Sequence, residues 1–277
     1  MKTLYVSDLD GTLLRSNETT SGFTNITINE LVTRGMLFSY ATARSYVTSK
    51  KVTKGLDAKI PLIVYNGAFV IDNTTEEILL SNFFGNDVHA LLDDLLASNI
   101  YPIVYSFLDS HERFSYIYEK SSKGVKDFVS TRKGDHRDNP IQIETQLHCG
   151  DIFYISCIDD ESKLISFYEK YKNQYHCIFQ RDIYSNEQWL EIMPQNVSKA
   201  NAIKQLKDHL HCDKVVVFGD GKNDIDMFTL ADECYAVANA VEDLKKIANA
   251  VIPQNNDDGV AKWLLENVDS SLKATKD

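Results

Sequence analysis

Leu4-Tyr5-Val6-Ser7-Asp8-Leu9-Asp10-Gly11-Thr12 is a short apolar strand that runs straight into two aspartates and a glycine. In an open parallel sheet, ligands bind beyond the carboxyl ends of the strands, so acidic residues placed there are candidates for chemistry. Asp8 and Asp10, spaced i, i+2, can face one cavity once the chain leaves strand geometry, and Gly11 permits that turn. One carboxylate can then attack phosphorus as a nucleophile while the other carries the proton to the leaving oxygen and later activates water. The plainer reading is a capped turn with two solvated aspartates.

Working outward, the grammar is strand, helix, strand, helix, strand. Thr27 and Glu30 have capping-box spacing, which predicts a helix from Thr27 to about Gly35. Residues 36–41 form the second predicted strand, 45–54 the second helix and 61–65 the third strand, stopped by the turn dipeptide Asn66-Gly67. The same grammar returns late in the chain. Ser198 can cap a helix through about Leu210, residues 214–218 form a strand buried on both faces, and Gly219-Asp220-Gly221 turns into a helix near Asp224. Short strands at 235–237 and 250–252, a helix over 259–267 and a polar tail over 269–277 complete the prediction. Alternation of this kind predicts an α/β fold, a doubly wound parallel sheet with helices on both faces.

The middle third has a different texture. It is rich in Tyr and Phe, and Phe153-Tyr154-Ile155-Ser156-Cys157 suggests half-exposed antiparallel strands. Helical segments are expected at 87–97 and 162–171, with a loop over 131–139. The expected organisation is therefore a core built from residues 1–82 and 189–277, interrupted by an inserted α+β domain over 83–188.

Composition narrows the function. The 277 residues carry 29 basic and 40 acidic side chains, a net charge of −11, which argues against nucleic acid or an anionic membrane as the main partner. Five widely spaced cysteines without a CxxC pair look like reduced thiols. No secretory signal is visible, and no run reaches the ~18 apolar residues that span a bilayer, so the cytoplasm is the expected address. Nothing in the residues specifies an oligomeric state. His148, beside Cys149, has no Cys or His partner at zinc spacing, which argues against a metal site there.

Gly219-Asp220-Gly221-Lys222-Asn223-Asp224 follows an apolar strand, as the first motif does. Asp8, Asp10, Asp220 and Asp224 at one rim would repel each other without a cation, and Mg²⁺ favours such oxygen ligands together with water and a phosphate. Asp224 could instead simply favour a helix N-terminus. Lys199, 21 residues before Asp220, could neutralise a transferring phosphoryl group, or face solvent as most lysines do. Thr42, in Ala41-Thr42-Ala43-Arg44, offers a hydroxyl at the same rim, or a cap for the next helix.

Together these residues resemble the haloacid-dehalogenase superfamily of phosphohydrolases, in its Cof-type class IIB branch. Motif order, spacing and the long insertion agree over nearly the whole chain. The resemblance implies a Rossmann-like core, with Asp8 as nucleophile, Asp10 as acid/base, and Thr42, Lys199 and Asn223 as phosphate-binding residues. It also implies Mg²⁺ held by Asp8, the backbone carbonyl of Asp10 and Asp220, with Asp224 supporting the site. The middle third would be a cap that selects the substrate, for which Arg113, His136, Arg137 and Arg181 are polar enough, although a surface role is the simpler reading of each. Asn66-Gly67 and Asn256-Asp257-Asp258-Gly259 are weaker points of likeness. Ala43 departs from the usual glycine after the second-motif Thr, and alanine resists positive φ. The expected activity is a Mg²⁺-dependent phosphatase of small phosphorylated metabolites working through an aspartyl-phosphate. A sugar-phosphate phosphomutase using the same intermediate is the alternative, and a catalytically silent binding protein is a second. A dehalogenase is disfavoured because its chemistry has no use for Asp10.

Overall fold

The computed structural model describes residues 1–181 and 187–273. They fall into two compact units, one formed by Met1–Ser81 with the segment from Ser198 onward, the other by Asn82–Val197.

The first unit is the predicted doubly wound α/β core. Its strands are β1 (Thr3–Asp8), β2 (Leu37–Ala41), β3 (Pro61–Val64), β4 (Phe69–Asp72) and β5 (Ile78–Ser81), and later β12 (Lys214–Gly219), β13 (Glu233–Val237) and β14 (Ala250–Ile252). They lie in the order β14-β13-β12-β1-β2-β3-β4-β5. Pairing is parallel from β14 through β3, with Ser7 opposite Phe218 and Asp8 opposite Ala41. From β1 the chain winds outward to β2 and β3, and on its return winds the other way from β12. The switch point thus lies between β1 and β12, and the crevice beyond their carboxyl ends receives Asp8 from one and Asp220 from the other.

Two strands go unpredicted. β4 and β5 extend the sheet antiparallel beyond β3. The hairpin from β3 to β4 turns through Tyr65, Asn66 and Gly67, all left-handed, with φ of 51°, 54° and 100°. Asn-Gly flanked by apolar runs is a hairpin signal, and Phe69-Val70-Ile71 is the returning run.

Helix α1 (Gly22–Thr33) starts earlier than the Thr27 box predicts. The Ser21 hydroxyl accepts the Thr24 N–H at 2.9 Å and caps the helix there, so Thr27 falls inside it. Helix α2 (Tyr46–Val52) is capped by Ser45. The tail expected from Asp269 continues as helix α9 (Gly259–Lys273), and residues 274–277 lie outside the described residues. The Trp263 ring of α9 packs edge-on or tilted against Tyr5, Phe218 and Tyr235 of three adjacent strands.

The second unit carries a six-stranded sheet in the order β10-β11-β9-β6-β7-β8. The strands are β6 (Ile103–Leu108), β7 (His111–Tyr116), β8 (Asp138–Pro140), β9 (Asp151–Asp159), β10 (His176–Arg181) and β11 (Gln188–Met193). Helices α3 (Val88–Ala97) and α5 (Glu161–Tyr171) bury Leu91, Leu92, Leu95 and Leu164 against Ile155, Leu190 and Ile192 of the sheet. A third helix, α4 (Lys123–Ser130), also packs on β9. The α+β character is as expected, but three details differ. Residues 189–197 belong to this unit and not to the core, because β11 pairs with both β9 and β10. Phe153 to Cys157 are fully buried, with the Phe153 ring against Tyr105 and Phe107 and Ile155 in the helix-covered cluster. The end of the 131–139 loop pairs with β7 as β8.

Candidate active site

β1 ends in Asp8, and the turn that follows is closed by the Leu14 N–H donating to the Leu9 carbonyl at 2.8 Å. Gly11 sits at φ +81°, and a Cβ there would lie 2.3 Å from Asp220 Oδ2. Glycine is therefore required twice, for the left-handed turn and for the approach of the Asp220 carboxylate. Thr12 donates its hydroxyl to Asp220 Oδ1 at 2.9 Å, tying the first motif to the second.

Asp224 is built into the second turn. Its Oδ2 accepts the N–H groups of Asp220 and Gly221 at 3.0 and 3.1 Å, and a Cβ on Gly219 would lie 2.7 Å from the same oxygen. Helix α6 (Lys199–His209) brings the lysine in from the side. Ser198 caps it by accepting the Asn201 N–H, and Gly67 packs so closely that a Cβ would meet the Ser198 carbonyl at 2.4 Å. The hairpin at Asn66-Gly67 thus fixes the first turn of α6. Lys199 donates to Asp8 Oδ1 at 2.5 Å and to Asp224 Oδ1 at 2.8 Å, and all three side chains are buried.

Asp8, Asp220 and Asp224 each offer a carboxylate oxygen, and the three oxygens lie within 4.8 Å of one another. Three carboxylates against one ammonium leave an excess of two negative charges in a buried space. Burial first, and then the Asp224 carboxylate, raise Asp8 well above the usual carboxylate range, against the pull of Lys199. The same two causes push Asp220 up to about 6. Burial opposes the charge on Lys199, but the Asp224 and Asp8 carboxylates overcome it and raise its pKa. An all-oxygen donor set with two uncompensated charges suits a hard divalent cation such as Mg²⁺. Asp224 has both oxygens engaged by the turn and by Lys199, which leaves Asp8 and Asp220 as the side chains with oxygen to offer.

The other expected residues are placed differently. The Asp10 carboxylate lies outside the acidic cluster, half-exposed and gripped by Arg44, with Nε at 2.9 Å and Nη2 at 2.6 Å. Arg44 Nη2 also reaches Glu18 at 3.1 Å. Thr42 is buried after β2, its hydroxyl oxygen accepting the Arg44 N–H at 3.1 Å. Asn223 is exposed on the turn Lys222–Asp224, its side-chain oxygen folded over Gly221. Ala43 is exposed and not left-handed, so the missing glycine strains nothing. In the second unit Arg137 is buried rather than on the surface, between Glu112 and Asp135 at 2.7 Å each. Arg113 donates to the His136 carbonyl, and Arg181 pairs with Glu161.

Three residues went unassigned from sequence. Thr12 and Arg44 stand inside quoted motifs, so their types were visible while their partners were not. Asn239 donates to the Gly11 carbonyl at 2.8 Å and accepts the Asn255 N–H at 3.0 Å, a bracing of the first turn across 228 residues that no local pattern announces.

The switch-point crevice thus holds Lys199 buried between Asp8 and Asp224, with Asp220 beside them. The chain matches the haloacid dehalogenase-like hydrolase family over residues 5–264 and belongs to it. A Haemophilus influenzae protein is 28% identical over 274 residues, covering 94% of this chain and 96% of its own. The Bacillus subtilis 5-amino-6-(5-phospho-D-ribitylamino)uracil phosphatase YitU is 24% identical over 287 residues, covering 95% and 96%. Among solved structures, TM0651 of Thermotoga maritima superposes with a TM-score of 0.78 at 26% identity, covering 96% of this chain and 97% of that one. The protein is a phosphatase of this family. Among the described residues no helix is long and apolar enough to cross a membrane.

Proposed function

We propose that this phosphatase hydrolyses small phosphomonoesters through an aspartyl-phosphate on Asp8, with Mg²⁺ as its cation. The observation that carries this is the convergence of Asp8, Asp220 and Asp224 oxygens within 4.8 Å, with Lys199 on Asp8. In this reading Asp8 and Asp220, with the Asp10 carbonyl, hold the metal. When bound, it supplies positive charge that draws Asp8 into its ionised form and offsets the charge on the phosphoryl oxygens.

Asp8 attacks phosphorus in line with the leaving oxygen. Lys199 holds the attacking carboxylate in place and, with Thr42 and Asn223, offsets charge on the equatorial oxygens. Asp10 gives its proton to the departing alkoxide and then takes one from the water that hydrolyses the aspartyl-phosphate. For this the Asp10 carboxylate must exchange its Arg44 partner for the leaving oxygen. The unit Asn82–Val197 is proposed as the cap that selects the substrate, and the cytoplasm as the location. The phosphoribitylamino substrate for which YitU is named supports a phosphorylated sugar-alcohol chain as one member of the substrate class.

The test is a panel of phosphorylated metabolites, including ribitol and sugar phosphates, assayed for phosphate release with Mg²⁺ and with chelator. Release should require the cation. Asp8→Asn should lose at least about 10⁴-fold in kcat, as removal of a nucleophile does, while keeping its circular dichroism. Isomerised sugar phosphate without released phosphate, or full rate in the variant, would overturn the proposal.

A further inference from the structure

Outside the acidic cluster, the most pointed convergence of ligand-bearing side chains lies in the second unit. His89, in the first turn of α3, and His148, at the end of the short helical turn Glu144–His148, meet from positions 59 residues apart. Their rings meet edge to edge, with centroids 5.4 Å apart, an interplanar angle of 27° and the two Nδ1 atoms 3.3 Å apart. Asp93, one turn after His89 on α3, places Oδ1 3.5 Å from His148 Nε2. Both rings are partly exposed and Asp93 is exposed, so solvent and ions reach them.

We propose that His89 and His148 form a two-nitrogen site for a borderline transition ion of the zinc, nickel or copper(II) class. The geometry carries the assignment. A zinc–nitrogen bond of about 2.0–2.1 Å places two ligand nitrogens roughly 3.3–3.4 Å apart at tetrahedral angles, which is the observed separation. Asp93 supplies the usual outer partner. The Asp93 carboxylate 3.5 Å from Nε2 favours the proton on that nitrogen, which leaves the His148 Nδ1 lone pair facing His89. Without an ion, the His89 Nδ1–H donates to that lone pair. When an ion binds, the His89 proton moves through solvent to Nε2, both rings stay neutral, and each Nδ1 donates its lone pair to the metal. Water completes the coordination. Neutral imidazoles prefer such ions to Mg²⁺, so the site is chemically separate from the carboxylate cluster. Occupied, it would clip α3 to the Glu144–His148 turn and stabilise this unit by an amount that grows with the logarithm of ion concentration.

Calorimetric titration of the full chain with zinc in excess Mg²⁺ tests this, by comparing wild type with His89→Gln, His148→Gln and Cys149→Ser. Wild type and Cys149→Ser should bind one equivalent more than either histidine variant, and all four should keep wild-type phosphatase activity once zinc is removed. Asp93→Asn should weaken the zinc site about 10-fold or more, as loss of an outer-shell carboxylate does. Paramagnetic resonance of the wild-type protein with one equivalent of copper(II) needs no variant and should show two coupled nitrogens. Equal zinc stoichiometry in wild type and both histidine variants would reduce the pair to a hydrogen bond between two imidazoles and overturn the assignment. Loss of the extra equivalent in Cys149→Ser alone, or fewer than two nitrogens on copper, would overturn the assignment as well.

Discussion

Among the described residues, each unit of this phosphatase buries one cation between two carboxylates. In the core Lys199 lies between Asp8 and Asp224, and in the inserted unit Arg137 lies between Glu112 and Asp135. The inserted triad is closed. Arg137 meets Asp135 through both Nε and Nη2, and that pairing holds Asp135 down at about 2. The core triad is open, because Asp220 adds a third carboxylate within reach, and burial with Asp224 pushes it up to about 6. Depressed carboxylates mark a site whose charges already satisfy one another. In the core, burial and three carboxylates around one ammonium raise Asp8 and Asp220 instead, which leaves room for a charge supplied from outside.

Among changes that test this contrast, the largest effect should come from opening the core further. Lys199→Met removes the group that touches Asp8, so kcat should fall by about 10²–10³, the usual cost of losing one preorganised charge partner of a reacting group. The same variant leaves Asp8 and Asp224 unpaired, so its urea midpoint in chelator should drop, and Mg²⁺ should restore part of it. A variant whose rate matched wild type would show that Lys199 balances charge without serving the reaction.

Arg137→Met performs the equivalent operation on the closed triad. Breaking a buried pair by removing one partner costs about 3–5 kcal/mol, and no added cation should recover it. The chain's two tryptophans allow the loss to be located, since Trp189 lies in β11 of the inserted unit and Trp263 in α9 of the core. Trp263→Phe and Trp189→Phe backgrounds leave one reporter in each unit. If Arg137→Met moved only the Trp263 signal, the triad would not be what stabilises its own unit.

The two triads should also respond to pH with opposite sign. Unfolded aspartates titrate near 3.9. Asp220, raised in the folded core, makes the folded state bind more protons between about pH 4 and 6. In chelator the core therefore loses stability as pH rises through that window, and Mg²⁺ should flatten the slope. Asp135, depressed in the folded protein, contributes stability that is present above about pH 4 and lost as pH falls toward 2. Urea midpoints read from Trp263 and Trp189 separately would show one slope inverted against the other. Parallel slopes would sink the distinction between an open and a closed site.

Much of the open site was legible from sequence because it is encoded locally. A strand running into Asp-Leu-Asp-Gly-Thr, a second into Gly-Asp-Gly-Lys-Asn-Asp, and a Ser-capped helix beginning with Lys199 each announce their own geometry. The parallel register of β1, β2 and β12 then brings them together without further instruction. What stayed hidden depends on contacts between distant segments. Asp10 turns to Arg44 because that guanidinium is the cation beside it, and Gly11 is braced by Asn239 from beyond β13. A surface role is the simpler reading of Arg137 from sequence, and of the partners that bury it Asp135 is two positions away but Glu112 is 25. His148 had no partner at zinc spacing, yet α3 delivers His89 to it. The edge of the insertion was missed for the same kind of reason, since only pairing with β9 and β10 assigns β11 to that unit.

The smallest expected effect concerns Ala43, the one visible departure from the family's phosphate loop. Were a left-handed backbone needed there, Ala43→Gly would relieve strain and stabilise the protein. Left-handed residues of this rim include Gly11, Tyr65, Asn66 and Gly67, while Ala43 is exposed with ordinary φ and its neighbour Thr42 is held by the Ile63 carbonyl and the Asn66 N–H. Glycine at 43 then only adds conformational freedom to the unfolded chain, which costs about 0.4–1 kcal/mol. Thermal unfolding of Ala43→Gly should show a small decrease, with kcat and KM unchanged. A gain in stability, or a change in KM for a phosphate ester, would mean that the loop adopts a second conformation when phosphate binds, and that alanine at 43 resists it.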